Sequence, residues 1–256
     1  MPQTEDIAKT LYQAFETGRV LSTPTTDLPN LSIADAYDIQ NAFVTLRLDD
    51  DELGGFKAGL TAAPAQESFG VDHPISGALF RSGERRDGAT VSLGDYRALL
   101  LETELGFRMG TAISQRVADT YQLRESVAGC LPMVELAELC YGDAKVTGAD
   151  LIAANSASAA YMRGAMPNWR DHDLNAVTVT FSRNGETLHE ASAGDVMDDQ
   201  WQALLWLVNQ VIDQGHTIEP GMFLMTGSIG PPHPGKPGSY VADYGSFGRL
   251  KVTITD

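Results

Sequence analysis

Leu99-Leu-Leu-Glu-Thr-Glu-Leu-Gly-Phe107 decides how this chain is organised. Read as a strand, it puts Leu99, Leu101, Thr103, Leu105 and Phe107 on one face and Glu102 and Glu104 on the other. The two carboxylates then leave the strand on the same side, with Cα atoms about 6.6 Å apart, close enough for both to reach one cation. The apolar face anchors the strand in a core. Alternation alone leaves two readings open: a half-buried strand whose acidic face is solvated, with Arg108 as the next outward residue, or two hard ligands that need a third.

The 256 residues suffice for one large domain or two small ones, and 43% hydrophobic with 20% charged residues is ordinary for a globular protein. Asp and Glu outnumber Lys and Arg 34 to 18, a formal charge of -16, so the average field repels nucleic acid and anionic membrane. Exposed charges are screened beyond about 8 Å, so an anionic substrate needs a positive centre inside its own site. The sequence opens with no basic segment leading into an apolar one and has no apolar run of roughly 18 residues, which predicts neither secretion nor a membrane span. Cys130 and Cys140 match no Cys-x-x-Cys spacing. They read as reduced thiols of a cytoplasmic protein, with a disulfide between them as the alternative.

Along the chain, Thr4 is suited to cap a first helix through Ile7, Leu11 and Phe15, with Gly18 at its end. Pro24 to Asn30 reads as a loop, and Ser32 as the cap of a second helix to about Leu48. Residues 1–52 are thus expected to form an N-terminal helical region, ahead of a second domain over 53–256. Gly54-Gly-Phe-Lys-Ala-Gly-Leu-Thr61 lacks nucleotide-loop spacing, and Lys57 within it is either a surface lysine or an ammonium presented to an anion. Asp72 and His73 lie in a turn-rich stretch, where aspartate often caps the turn itself. Thr120 is placed as the cap of a helix to about Gly129. The short strand Leu131–Leu136 carries Glu135 inside an apolar run, where a lone carboxylate is costly; it needs either a basic partner or a metal. Thr147 caps a further helix before the small polar segment Ala153–Ala160. Ala176–Phe181 alternates as a strand, Asn184-Gly185 signals a type I′ hairpin, and Trp201 to Ile212 carries an amphipathic helical stripe. Pro220-Gly221 turns into Met222–Met225, Gly230–Gly235 reads as a surface loop, and Leu250–Ile254 as a closing strand.

Taken together, Asp35-Ala-Tyr-Asp-Ile-Gln40, Gly55-Phe-Lys-Ala-Gly-Leu-Thr61, Gly70-Val-Asp-His-Pro74, Glu102-Thr-Glu104, Pro132-Met-Val-Glu135, Asn155 to Ser158, Ala203-Leu-Leu-Trp-Leu207 and Thr226-Gly-Ser228 carry a resemblance over most of the chain. In order and spacing the sequence resembles the 2-oxopent-4-enoate (2-hydroxypentadienoate) hydratase and 4-oxalocrotonate decarboxylase family of the fumarylacetoacetate hydrolase superfamily. The resemblance implies an α+β fold, a mixed β-rich roll with N-terminal helices. It implies Mg²⁺ or Mn²⁺ held by Glu102, Glu104 and Glu135, with Lys57 and Asp72 in proton transfer and water activation. Ser158, Thr226 and Ser228 then line the substrate site. It further implies a small 2-oxo acid substrate, a homo-oligomer in the cytoplasm, and association with a partner enzyme of an aromatic catabolic pathway.

The expected reaction is hydration of a 2-hydroxy-2,4-dienoate, by way of the 2-oxo-3-enoate, to a 4-hydroxy-2-oxo acid. Decarboxylation of a 2-oxo-3-enedioate draws on the same polarised carbonyl and is the nearest rival. Hydrolysis of an acylpyruvate C–C bond ranks lower, because relatives use an N-terminal His/Glu pair and no histidine here precedes His73. A metal-binding homologue without activity is the non-enzyme reading. The sequence departs from the family pattern at Ala154 (usually Asp), Ala157 (commonly Ser), Cys140 (Arg) and Glu138 (Asp).

Overall fold

A computed structural model describes residues 2–256. In chain order the elements are α1 (Pro2–Thr17), α2 (Pro24–Asp27), α3 (Ile33–Arg47), β1 (Leu53–Gly59), α4 (Ala63–Phe69), β2 (Ile75–Phe80), β3 (Glu84–Arg85), β4 (Thr90–Ser92), β5 (Leu99–Met109), α5 (Thr120–Glu125), β6 (Val127–Glu138), α6 (Gly148–Ala153) and β7 (Ala160–Arg163). They continue through β8 (Thr178–Arg183), β9 (Glu186–Ser192), α7 (Gln200–Asp213), β10 (Phe223–Met225), β11 (His233–Pro234), β12 (Gly238–Asp243) and β13 (Arg249–Thr255). Among the described residues no helix is long and apolar enough to cross a membrane.

Local chemistry sets many of the boundaries. The Ser32 hydroxyl accepts from the Asp35 N–H at 3.1 Å and starts α3, and Thr147 with Asp150 closes a full capping box on α6. Asn184 and Gly185 have φ of 52° and 84°, the left-handed pair that a type I′ turn between β8 and β9 demands.

Other boundaries shift. Thr4 lies inside α1, which already begins at Pro2, a residue with no N–H to satisfy. Pro24 likewise starts the short α2 in the stretch expected to be a loop. Asp119, rather than Thr120, caps α5, accepting from Gln122 N–H at 2.9 Å. That helix stops at Glu125, because long-range pairing with β5 draws residues 127–138 into a 12-residue strand, of which Leu131–Leu136 is only the middle. Within Gly230–Gly235, His233 and Pro234 pair with Leu101 and Leu100 as β11, an edge role that proline tolerates.

The strands form an eight-stranded sheet ordered β2-β1-β10-β5-β6-β7-β3, with β11 also pairing β5, and a five-stranded sheet ordered β4-β13-β12-β8-β9. The β5 strand takes β10 and β11 on one side and antiparallel β6 on the other, so the Glu-x-Glu stretch is central. One core joins Ala8 and Leu11 of α1 and Ile39 of α3 to Leu101, Leu105 and Phe107 of β5 and Leu204 and Val211 of α7. A smaller cluster of Leu79, Leu131, Met133, Tyr161, Phe223 and Met225 fills the other face of the large sheet. By register, that second face is also the face of Lys57, Glu102, Glu104 and Glu135. The acidic side of β5 is therefore an interior surface of a curled sheet, not a solvated one.

Candidate metal centre

Glu102 and Glu104 stand two residues apart on β5, and Glu135 lies directly opposite Glu102 on β6. Like charges directly opposite each other destabilise a strand pair, all the more when water is excluded. Glu104 and Glu135 have no exposed surface, and Glu102 is half-buried. One oxygen from each of the three lies within 4.8 Å of the others. Oxygens coordinating one Mg²⁺ at about 2.1 Å would be roughly 3.0 Å apart in cis and 4.2 Å in trans, so the cluster matches the span of a single hard cation.

Hydrogen bonding gives the same account. Glu104 Oε2 accepts from the Gly227 N–H at 2.8 Å, while Glu104 Oε1 and both oxygens of Glu135 have no hydrogen-bond partner among the described residues. Lys57, only 4% exposed, brings its ammonium to 3.2 Å from Glu135 Oε1, an ion pair without hydrogen-bond alignment. Three carboxylates thus share one ammonium.

Their acidities reflect that imbalance. Burial, then the neighbouring Glu135, raises Glu102 to about 7. Burial raises Glu104 well above the usual carboxylate range, with Glu135 and Glu102 adding to it. Glu135 is raised by burial too, against the pull of Lys57. Burial favours a neutral Lys57, but the three carboxylates outweigh it and hold the ammonium more tightly than usual. A dication among these oxygens satisfies the orphaned atoms and replaces the protons, so the residues present fit such a group.

Two backbone features hold the cluster. The Tyr244 hydroxyl accepts from Glu104 N–H at 3.1 Å and donates to Met133 C=O at 2.7 Å, entering the β5–β6 ladder at the pair where Glu104 faces Met133. Gly227 has φ 117°, and a Cβ there would come within 2.5 Å of Thr61; only glycine lets this N–H reach Glu104.

A cavity of about 540 Å³ opens beside the cluster, lined by Lys57, Glu102, Ser156 and Ser228 among others. Of the residues singled out in the sequence, Lys57, Glu102, Glu104 and Glu135 come together, and Ser228 joins them at the cavity wall, donating to Gly230 C=O at 2.9 Å. Three are placed elsewhere. Asp72 is exposed in the turn that follows α4, with the His73 ring 3.8 Å from its carboxylate. Thr226 is buried and hydrogen-bonds Gln200 Oε1 at 2.6 Å. Ser158 donates to Ala78 C=O at 2.9 Å and faces an adjoining recess with Arg97, Glu138 and Cys140.

Ser156 takes a cavity position that sequence reasoning passed over. Its φ of 53° follows one of 57° at Asn155 and precedes one of 61° at Ala157. The Asn155 amide holds this left-handed run by exchanging hydrogen bonds with Ala78 N–H and C=O at 2.7 and 2.9 Å. Only the run of small residues hinted at it.

Fold and site define the class: a roll of the fumarylacetoacetate hydrolase type with an interior carboxylate cluster. A putative fumarylacetoacetate hydrolase family protein from Yersinia pestis CO92 superposes with a TM-score of 0.57, covering 80% of this chain and 94% of that one at 14% identity. Nearer still, 4-oxalocrotonate decarboxylase from Pseudomonas putida G7, in complex with magnesium and adipate, superposes with a TM-score of 0.93 over 99% of this chain and 98% of that one, at 23% identity. No family model matches the chain. In sequence it is homologous to 2-keto-4-pentenoate hydratase of Paraburkholderia xenovorans LB400, 28% identical over 238 residues covering 92% of this chain and 88% of that protein. It is likewise homologous to 4-oxalocrotonate decarboxylase of Pseudomonas sp. CF600, 27% identical over 85% of this chain and 83% of that protein.

Proposed function

We propose that this chain is a metal-dependent lyase that hydrates a 2-hydroxy-2,4-dienoate to a 4-hydroxy-2-oxo acid. The observation that carries the reading is the buried Glu102, Glu104 and Glu135 cluster, with three orphaned oxygens, at the head of a cavity that also receives Lys57. The homologous hydratases and decarboxylases support it by name.

A divalent cation, proposed as Mg²⁺ or Mn²⁺, would be held by the three glutamates and would supply Lewis-acid polarisation of the substrate's 2-oxo group. The chain's own residues do the rest. Lys57 is the one titratable amine among the described residues lining the cavity and is the proposed proton carrier. The dienol loses its O–H proton as C5 gains one, and water then adds across C3 and C4, its hydroxyl to C4 and a proton to C3. The Ser156 and Ser228 hydroxyls supply polar wall, and the remainder of the lining is mostly apolar. Asp72, exposed and outside the cavity, receives no step. A homo-oligomer and a cytoplasmic location belong to the same proposal.

Decarboxylation of a 2-oxo-3-enedioate is the second reading, because the same polarised carbonyl accepts the electrons left when CO₂ departs. A panel of dienoate hydration, oxalocrotonate decarboxylation and acylpyruvate cleavage, each with and without chelator, tests both. Chelator-sensitive hydration with ¹⁸O from water appearing at C4 supports the first; CO₂ release without hydration replaces it with the second. Metal binding with no turnover in any assay leaves a binding protein.

A further inference from the structure

The geometry points to a substrate with one carboxylate and an extended apolar substituent at the end remote from the metal cluster. This deepens the reading above and rests on the cavity being a 2-oxo acid site.

Among the described residues lining the 540 Å³ cavity, Lys57 is the one cation, and it stands at the glutamate end. Most of the remaining lining is apolar, including Phe69, Ile75, Leu100, Leu139, Leu151 and Pro231. The one charged side chain elsewhere on the lining is Asp195, which is exposed and of the wrong sign for a second carboxylate. Arg97 lines the adjoining recess, which shares Ala157 with the cavity, but its charge is already paired with Glu138 and four of its five N–H donors are taken. It bonds Glu138 Oε2 at 2.7 Å, Arg19 C=O at 3.1 Å and Ala14 C=O at 2.8 Å. A distal carboxylate would therefore be buried without a partner, which is costly, whereas an alkyl or aryl group would exchange water for apolar wall.

Size agrees. At ~30 Å³ per water-sized group, 540 Å³ accommodates roughly eighteen such groups, well beyond a five-carbon oxo acid. Pockets of this size and lining take ligands whose apolar bulk provides affinity and whose few polar atoms fix orientation. The same cavity that admits a long tail thus weighs against an enedioate as the natural substrate.

The test has two arms on the full chain loaded with Mg²⁺. In the first, kcat/KM is measured for 2-hydroxy-2,4-dienoates carrying hydrogen, methyl, ethyl, propyl or carboxymethyl at C5. Each added methylene is expected to raise kcat/KM about threefold to fourfold. The carboxymethyl compound is expected to fall at least about thirtyfold below the propyl one, the order expected for an unpaired buried charge. In the second, calorimetry compares pyruvate, 2-oxoheptanoate and 2-oxoheptanedioate as unreactive ligands, with the monocarboxylate heptanoate expected to bind tightest. Ala65→Arg, on α4 at the cavity wall, supplies a cation and is expected to improve binding of the dicarboxylate about tenfold but not of the heptanoate. Flat or falling values with chain length, or a dicarboxylate equal to its alkyl counterpart, overturn the inference. If no dienoate is hydrated, the hydratase reading fails, and the calorimetric series still decides the preference for the tail. If no 2-oxo acid binds at all, both fall.

Discussion

Lys57 and Glu135 lie 3.2 Å apart although two strands, β10 and β5, separate the strands that carry them. Three inter-strand spacings on a flat sheet are about 14 Å. The curl of the sheet and the length of the lysine close that distance, and the ammonium is delivered to a cluster it cannot neutralise alone. The properties of the site follow from that shortfall of positive charge.

Metal dependence should itself depend on pH. The three glutamates have folded-state pKa values raised above their unfolded ones, Glu102 to about 7. The folded metal-free protein therefore holds protons more tightly than the unfolded chain, and their stabilising contribution is lost as pH rises from about 4.5 through 7. A cation replaces those protons, so its binding should strengthen over the same interval. Melting curves with and without Mg²⁺ are expected to coincide near pH 5 and to separate by several degrees at pH 8; a metal effect larger at pH 5 would contradict the account.

Glu104→Gln should uncouple stability from metal binding. The amide still accepts from Gly227 N–H but removes one of three mutually repelling charges. The metal-free variant is expected to melt about 2–4 °C higher than the metal-free parent at pH 8, the shift for ~1 kcal/mol in a chain of this size. Mg²⁺ should no longer raise its melting temperature. Calorimetry with Mg²⁺ alone checks the loss of the site.

Lys57→Met should separate chemistry from metal binding in the other direction. With the ammonium gone, turnover is expected to fall at least about a hundredfold, the usual scale for a positioned acid or base. The carboxylates stay in place, so Mg²⁺ should bind as well or better by calorimetry. Turnover at the parental rate would exclude Lys57 as the proton carrier.

Tyr244→Phe tests the wedge in the ladder. Removing its hydroxyl takes away a partner of the Glu104 N–H and of the Met133 C=O in the interior, a loss of about 1–3 kcal/mol. Urea unfolding should show that loss. Because the hydroxyl fixes the backbone beneath a ligand, Mg²⁺ affinity should fall too, whereas a purely structural role would leave it unchanged in the folded protein.

Gly227→Ala is expected to weaken Mg²⁺ binding and lower stability together. At φ 117° an alanine is strained, and its Cβ meets Thr61. The N–H that orients Glu104 must then shift. Parental affinity in this variant would show that the loop is not needed to hold the carboxylate.

The sequence by itself determined whatever depends on neighbours along the chain. Alternation along Leu99–Phe107 sent Glu102 and Glu104 out on one side, Ser32 and Thr147 fixed two helix starts, and Asn184-Gly185 fixed a hairpin. These are local effects of side-chain period, capping and left-handed backbone. Tertiary structure alone decided that the acidic side of β5 is interior, since that depends on the sheet curling and on Met133, Tyr161 and Met225 filling its second face. It also placed Glu135 opposite Glu102 through strand register, left Asp72 in solvent, set Ser158 in a neighbouring recess and put Ser156 on the cavity wall. Local sequence says which way a side chain leaves its own strand; only long-range pairing says what it meets there.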